Sequence, residues 1–139
     1  MPRVDVIHDS PLPPARVFAF LAEHENLGPV LGATVRRVRD GATERNGVGS
    51  VREIRVGVLP PFEETVTAVV PDRSIDYRIT KGSPLKGHAG HLDVAQRGAG
   101  SRVRWTIDFG APVPGLAAVI GAVLTMRVRA GLKAVDAKA

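Results

Sequence analysis

The chain has 139 residues, a formal net charge of +5 and no cysteine. That length suits one domain over residues 1–139 with a single hydrophobic core. Without cysteine, the sequence excludes a disulfide framework, a thiolate nucleophile and a cysteine-ligated zinc site, and it favours a reducing, cytoplasmic location. The longest apolar run, Leu116 to Leu124, is about half the length of a membrane-spanning helix, so no integral membrane segment is expected.

The positive charge comes from arginines that mostly alternate with acidic residues, as in Glu53-Ile54-Arg55 and Asp76-Tyr77-Arg78. Such alternation is typical of a solvated sheet face with cross-strand ion pairs. Aromatic residues are also too sparse for a base-stacking platform. The sequence therefore predicts no nucleic-acid partner, while a weak contact with an anionic membrane stays open.

The first elements in chain order are a strand and two short helices. Residues 4–8 alternate apolar and polar, which predicts a strand. The proline-rich stretch that follows suits a first helical turn, and Val17, Phe18 and Leu21 then share one helical face. Gly28-Pro29 breaks this helix and leaves one further short turn before residue 33.

From there to residue 110, apolar and polar residues alternate with a period of two. It predicts strands near 34–40, 50–58, 62–70, 74–81, 87–96 and 102–110, joined as sequential hairpins. Helical spacing follows from Gly115 to Ala137, and the first half of this helix is apolar all round. The predicted fold class is α+β: a curved antiparallel sheet of about seven strands wrapped around a long C-terminal helix, with two short helices after the first strand.

Strand parity predicts which side chains face the interior, because neighbouring residues point to opposite faces. The predicted inner face comprises Ile54, Val56 and Val58; Ile75, Tyr77 and Ile79; Leu92 and Val94; and Val103, Trp105, Ile107 and Phe109. The same rule separates the two histidines of GHAGHLDVAQ, since His88 falls on the inner face and His91 on the outer one. A shared metal is not expected there. Glu23-His24-Glu25 lacks the i, i+4 spacing of a metal site and is expected to be solvated.

Four polar residues have inward parity: Arg52, Glu64, Tyr77 and His88. A buried polar group costs a few kcal/mol unless it is paired or wetted, so this set predicts a partly hollow interior. A tight connection through Pro60-Pro61 would set Val56 opposite Glu64 and leave Arg52 about 13 Å from Glu64, too far for an ion pair. The next hairpin would place the methyl group of Ala68 between Arg52 and Tyr77.

Each of these residues also has a structural interpretation. His88 would be a wall residue hydrogen-bonded to Tyr77 or water, Glu64 would reach solvent at the mouth, and Arg52 would cover the open end with its charged head wet.

Several local stretches resemble one known family. They are PPARVFAFLAEHENLGPVLGA, NGVGSVREIRVG, EETVTAVVPDRSIDYRIT and GAGSRVRWTIDF, followed by a C-terminal helix ending GLKAVDAK. In order and spacing the chain is similar to the START-like or SRPBCC superfamily with its helix-grip fold, and within it to the polyketide cyclase/dehydrase-type branch. The resemblance implies a hydrophobic cavity between sheet and long helix for lipids, polyketides, isoprenoids or similar molecules. Some relatives catalyse ring closure or dehydration, and others only carry or sense a ligand.

Three functional hypotheses follow. The first is a cavity for a small apolar ligand, lined by Arg52, Ile54, Glu64, Tyr77, His88, Leu92, Val103, Trp105, Ile107 and Leu124, with Arg127 at the helix edge closing the entrance. The second is a cyclase or dehydratase without a cofactor, in which His88 and Glu64 exchange protons while Arg52 or Tyr77 steadies an enolate. The third is a membrane-surface or protein-interaction module. None of them needs a metal, and both monomer and homodimer stay open.

Overall fold

The computed structural model describes residues 3–58, 60–83, 86–111 and 115–139. In chain order, the elements within these ranges are β1 (Arg3–Ser10), α1 (Pro14–Ala22), a 3₁₀ turn (His24–Asn26), α2 (Leu27–Leu31), β2 (Thr34–Arg39), β3 (Val51–Arg55), β4 (Phe62–Val70), β5 (Ser74–Lys81), β6 (Lys86–Arg97), β7 (Gly100–Gly110) and α3 (Leu116–Lys138).

The strands form one antiparallel sheet in the order β1-β7-β6-β5-β4-β3-β2. Sequential hairpins join β2 through β7, and β1 crosses over to pair with β7. The long helix α3 packs against β1 and α2. This arrangement confirms the predicted α+β helix-grip fold, with its curved seven-stranded sheet, its long C-terminal helix and its short helices after the first strand.

The inner face of the sheet is built mainly from the residues that strand parity predicts. Val103, Trp105, Ile107 and Phe109 of β7 are all buried, and Leu92 of β6 lies opposite Trp105 as expected. Removing each large apolar side chain of this kind from water stabilises the fold by about 1.5–3 kcal/mol.

The outer face of β1 and β7 carries exposed cross-strand ion pairs between Arg3 and Asp108, Arg104 and Asp5, and Arg102 and Asp9. Pairs this exposed contribute about 0–1 kcal/mol each. These three arginines therefore belong to a solvated sheet face with cross-strand ion pairs, of the kind that the sequence predicted.

One strand is shorter than predicted. The strand expected over 50–58 ends before Val56, and Val58, expected on the inner face, is fully exposed. Gly57 adopts a left-handed conformation with φ of 54°, which departs from strand geometry. The regular inner face of β3 therefore ends at Ile54, and the half-buried Val56 lies just beyond it.

The register between β3 and β4 also differs from the prediction. Arg52 lies directly opposite Glu64, so the expected separation of about 13 Å between them was wrong. Because β3 stops early and β4 begins at Phe62, the connection is longer than a tight turn through Pro60-Pro61 and the register shifts.

A second difference lies between β4 and β5. A bulge between Val66 and Ala68 puts Val66 opposite Tyr77, and Ala68 pairs with Asp76 instead. The methyl group expected between Arg52 and Tyr77 is therefore not there. A β-bulge is a local insertion that a strict period of two does not reveal.

The first half of α3 is apolar on its outer side as well. Leu116, Val119, Val123 and Met126 are all exposed there. Within the described ranges, no helix is long and apolar enough to span a membrane.

The second half of α3 approaches α2 closely at Gly131. A Cβ atom on Gly131 would lie 2.5 Å from the backbone oxygen of Val30, so only glycine fits without a shift of the backbone. Gly121 on the same helix is different, because a Cβ there would meet only the Phe109 ring at 3.7 Å, an ordinary contact.

These two glycines predict opposite effects of the same substitution. Gly131→Ala should lower the free energy of unfolding by about 1–3 kcal/mol, because the added methyl group forces α3 away from α2. Gly121→Ala should raise it by up to about 1 kcal/mol, since alanine favours the helix and finds room. Urea denaturation of both variants measures the difference, and equal effects would contradict the close approach at Gly131.

Candidate functional site

The inner face of the sheet holds a group of polar side chains that contact one another. Four of them, Arg52, Glu64, Tyr77 and His88, are residues that strand parity placed inside, and His24 of the 3₁₀ turn joins them. These five residues are called the polar cluster below. All five side chains are almost completely shielded from solvent.

An ion pair between β3 and β4 forms the centre of the polar cluster. The Nε and Nη2 atoms of Arg52 each lie 2.8 Å from Oε1 of Glu64. The side chains are only 4% and 7% exposed, so both charges are buried. The structural interpretation expected Glu64 to reach solvent and Arg52 to keep its charged head in water. Both expectations were wrong, because both side chains are buried. Removing one partner of such a pair leaves an uncompensated buried charge.

Tyr77 lies on the guanidinium group of Arg52. The Cζ atom of Arg52 is 4.5 Å from the centre of the Tyr77 ring, which is cation–π geometry. The indole N–H of Trp105 donates to the Tyr77 hydroxyl oxygen at 2.8 Å. Burial raises the pKa of Tyr77, so its phenol stays protonated.

Glycine at position 90 makes room for this ring. Tyr77 pairs with Gly90 of β6, and a Cβ on Gly90 would lie 2.1 Å from the Cζ atom of Tyr77. The sequence predicted that Tyr77 would neighbour His88 or Gly90, and it contacts both. Any side chain at position 90 would push the phenol out of the polar cluster.

His88 is held by the backbone of the neighbouring strand. Its Nδ1 atom accepts the backbone N–H of Ile79 at 3.0 Å, so the neutral ring carries its proton on Nε2. That Nε2 atom lies 3.5 Å from Oε2 of Glu64, and the ring centre is 5.6 Å from that of Tyr77. Burial lowers the pKa of His88 despite the opposing influence of Glu64.

His24 is a member of the polar cluster that the sequence analysis missed. It was expected to be solvated, but it is 1% exposed. The signal was its position three residues after Leu21, which continues the buried face of α1 into the turn. The acidic neighbours Glu23 and Glu25 hid that pattern.

The hydrogen bonds of His24 fix its protonation state. The hydroxyl group of Ser50 donates to the Gly47 carbonyl at 2.6 Å, so Ser50 Oγ must accept the Nε2–H of His24 at 2.9 Å. The Nδ1 atom of His24 then accepts from Nη1 of Arg52 at 3.2 Å. His24 is therefore neutral, and it joins Arg52 to the loop before β3.

Five apolar, half-buried side chains lie on strand ends next to the polar cluster and on the first half of α3. Val56, Phe62 and Ile79 come from the strand ends next to the polar cluster, and Ile120 and Leu124 come from the first half of α3. We call these five residues the apolar rim. β3 and β5 end at this edge, and β4 and β6 begin there.

The remaining predicted site residues divide into two groups. Ile54, Leu92, Val103, Trp105 and Ile107 are buried in the core on the inner face, while Leu124 belongs to the apolar rim.

Arg127 lies apart from the polar cluster. Its Nη1 atom donates to the carbonyl oxygens of Leu31 and Gly32, which fixes α3 to the end of α2. It also borders a separate cleft of about 450 Å³ between the first helices and α3, together with Phe20, Val30 and Ala134. This cleft contains no other residue of the predicted site.

The exposed histidine of the GHAGH stretch has a different role. His91 lies on the outer face, as predicted, and contacts the carboxylate of Asp76. Among the described residues, no group of three or more histidine, aspartate or glutamate side chains is arranged to hold a metal ion.

The sheet order, the long C-terminal helix and the interior between them define a START-like protein of the helix-grip class. The chain belongs to the family described as polyketide cyclase / dehydrase and lipid transport, whose model matches residues 1–139. No curated protein matches the chain by sequence.

Solved structures share the fold at low sequence identity. TTHA0849 from Thermus thermophilus is 19% identical, with a TM-score of 0.78 over 97% of this chain and 94% of that one. The Zhui aromatase/cyclase from Streptomyces sp. R1128 is 20% identical, with a TM-score of 0.76 over 98% and 92%. Ara h 8.0201 is 17% identical, with a TM-score of 0.73 over 98% and 95%.

The neutral state of His24 predicts a loss of stability in mild acid. Burial, with the nearby charges of Arg52 and Arg37, lowers the pKa of His24 from 6.5 to about 4. Between these values the unfolded chain binds a proton that the folded protein does not. The free energy of unfolding should therefore fall as the pH drops from about 6.5 to about 4, by on the order of 3 kcal/mol, and His88 adds to the same trend.

Urea denaturation across this pH range measures the effect. The control is His24→Asn, whose amide oxygen still accepts from Arg52 but does not titrate. The variant should show a shallower dependence on pH, and an unchanged slope would mean that other groups cause the loss.

Proposed function

We propose that the protein binds a small apolar molecule, of lipid, polyketide or isoprenoid type, at the apolar rim and above the polar cluster. The observation that carries the proposal is a buried, mutually paired charged group on the inner face of the sheet, with half-buried apolar side chains at the neighbouring strand ends. Small-molecule sites commonly combine an apolar lining with a few convergent polar groups. Membership of a family that includes lipid transport supports the same function.

Energetics also support a functional use of the polar cluster. A buried ion pair is often no more stable than apolar side chains of the same volume, so Arg52 and Glu64 are not explained by stability alone. The apolar rim has the complementary property. Its side chains keep some exposed apolar area that a bound molecule would remove from water, at about 25 cal/mol per Å².

Binding of the neutral fluorescent probe N-phenyl-1-naphthylamine tests this function. Leu124→Trp should weaken binding by about tenfold or more, because the larger side chain fills space at the apolar rim. Val119→Trp is the matched control, since Val119 lies on the outer side of the same helix and is 62% exposed. No binding by the wild type, or equal loss in both variants, would contradict the proposed site.

A cyclase or dehydratase activity is the second candidate. His88 Nε2–H and Glu64 Oε2 face each other at 3.5 Å, so one can donate and the other accept a proton if a substrate carbonyl reaches them. Tyr77 and Arg52 lie beside them as donors to a developing enolate oxygen. The similar structure of an aromatase/cyclase agrees with this candidate.

Turnover of a poly-β-ketone by two histidine variants tests the second candidate. His88→Ala should abolish turnover, while His91→Ala should leave it unchanged, because His91 lies on the outer face. Circular dichroism shows whether each variant is folded. Turnover that survives in folded His88→Ala would remove this residue from the mechanism.

Three further expectations remain proposals. The protein acts in the cytoplasm, as a single domain over residues 1–139, and as a monomer or homodimer. The exposed apolar side chains at the start of α3 favour an additional contact with a membrane surface or another protein.

A further inference from the structure

The polar cluster has no net charge. Arg52 is positive and Glu64 is negative, and hydrogen bonds show that both histidines are neutral. The Nδ1 atom of His88 accepts the N–H of Ile79, and the Nδ1 atom of His24 accepts from Arg52. Each Nδ1 therefore holds a lone pair and no proton.

The positive charge of Arg52 is already occupied. Nε and Nη2 both donate to Glu64, and Nη1 donates to His24. A ligand carboxylate would have to displace Glu64 or add a second negative charge, without a partner, to a desolvated interior. Both are costly, since buried charges need a partner.

The polar cluster keeps unused hydrogen-bond donors. Tyr77 Oη accepts from Trp105, and the described residues offer no acceptor for the hydroxyl hydrogen of Tyr77. A guanidinium group has five N–H groups. Only some of those of Arg52 donate to Glu64 and His24. Both Nδ1 atoms are engaged as acceptors, Oε1 of Glu64 accepts from Arg52, and Oε2 of Glu64 faces the Nε2 atom of His88 at 3.5 Å.

We propose that the site selects an uncharged apolar molecule with an accepting oxygen, such as a ketone, over the carboxylate of the same chain length. This inference rests on the proposed binding function and names the ligand class for the same site. The Tyr77 hydroxyl donates to the ligand oxygen, and the pair of Arg52 and Glu64 stays intact beneath it.

Competition between two matched molecules tests the selection. 2-Undecanone and decanoate carry the same alkyl chain, and each is titrated against bound N-phenyl-1-naphthylamine at about pH 8, where the carboxyl group is ionised. The ketone should bind the wild type at least about tenfold more tightly, and equal or tighter binding of decanoate would overturn the inference. If the reporter itself does not bind, the proposed binding function is contradicted. If the reporter binds and the ketone is not preferred, only the inferred ligand class is contradicted.

Two variants locate the cause of the selection. Glu64→Gln keeps the shape but frees the charge of Arg52, so decanoate should gain affinity and the preference should reverse. Asp76→Asn is the matched control, because it removes a carboxylate from the outer face and should change nothing. An unchanged preference in folded Glu64→Gln would show that the ion pair does not set the ligand class.

Tyr77→Phe provides a second measurement if Glu64→Gln does not fold. The ring stays against Arg52 and Gly90, and only the hydroxyl donor is lost. Ketone affinity should fall about tenfold and decanoate affinity should stay constant. Equal affinities of the ketone for Tyr77→Phe and the wild type would contradict the role of the hydroxyl group.

Discussion

The ion pair between Arg52 and Glu64 is the interaction on which the interior depends. It buries two charges almost completely, so neighbouring side chains have to complete their hydrogen bonds. His24 occupies one side of the guanidinium, the Tyr77 ring covers its face, and His88 approaches the second carboxylate oxygen. An apolar core tolerates substitution more easily than such a network, in which the loss of one member leaves a buried charge or donor unpaired.

The polar cluster also connects parts of the chain that are distant in sequence. His24 belongs to the turn after α1, yet it donates to Ser50 in the loop before β3. Glu23 beside it accepts from Arg37 of β2 and from Arg45 and Asn46 of the same loop. The first helices, the β2–β3 connection and the inner face of the sheet are therefore ordered together. The imidazole ring of His24 thus links the turn after α1 to Arg52.

The sequence predicted the fold and four of the five members of the polar cluster, but it did not predict how those members pair. Alternation identified four inward residues, because the face on which a side chain lies does not depend on where the strand begins or ends. These residues are Arg52, Glu64, Tyr77 and His88. Pairing depends on register, and register changed where β3 ended early and where β4 bulged at Val66. His24 was missed for another reason: a short turn between helices has too few residues to show a period, and its acidic neighbours resemble a solvated segment.

The contact between Tyr77 and Gly90 couples the substitutions that these two positions can accept during evolution. A mutation that gives residue 90 a side chain cannot be accepted while the phenol occupies that space. The opposite order of substitutions is sterically allowed. A smaller residue can first replace Tyr77, and a side chain at position 90 of β6 can then fill the vacated volume. The steric coupling therefore leads us to expect that positions 77 and 90 change together among related chains.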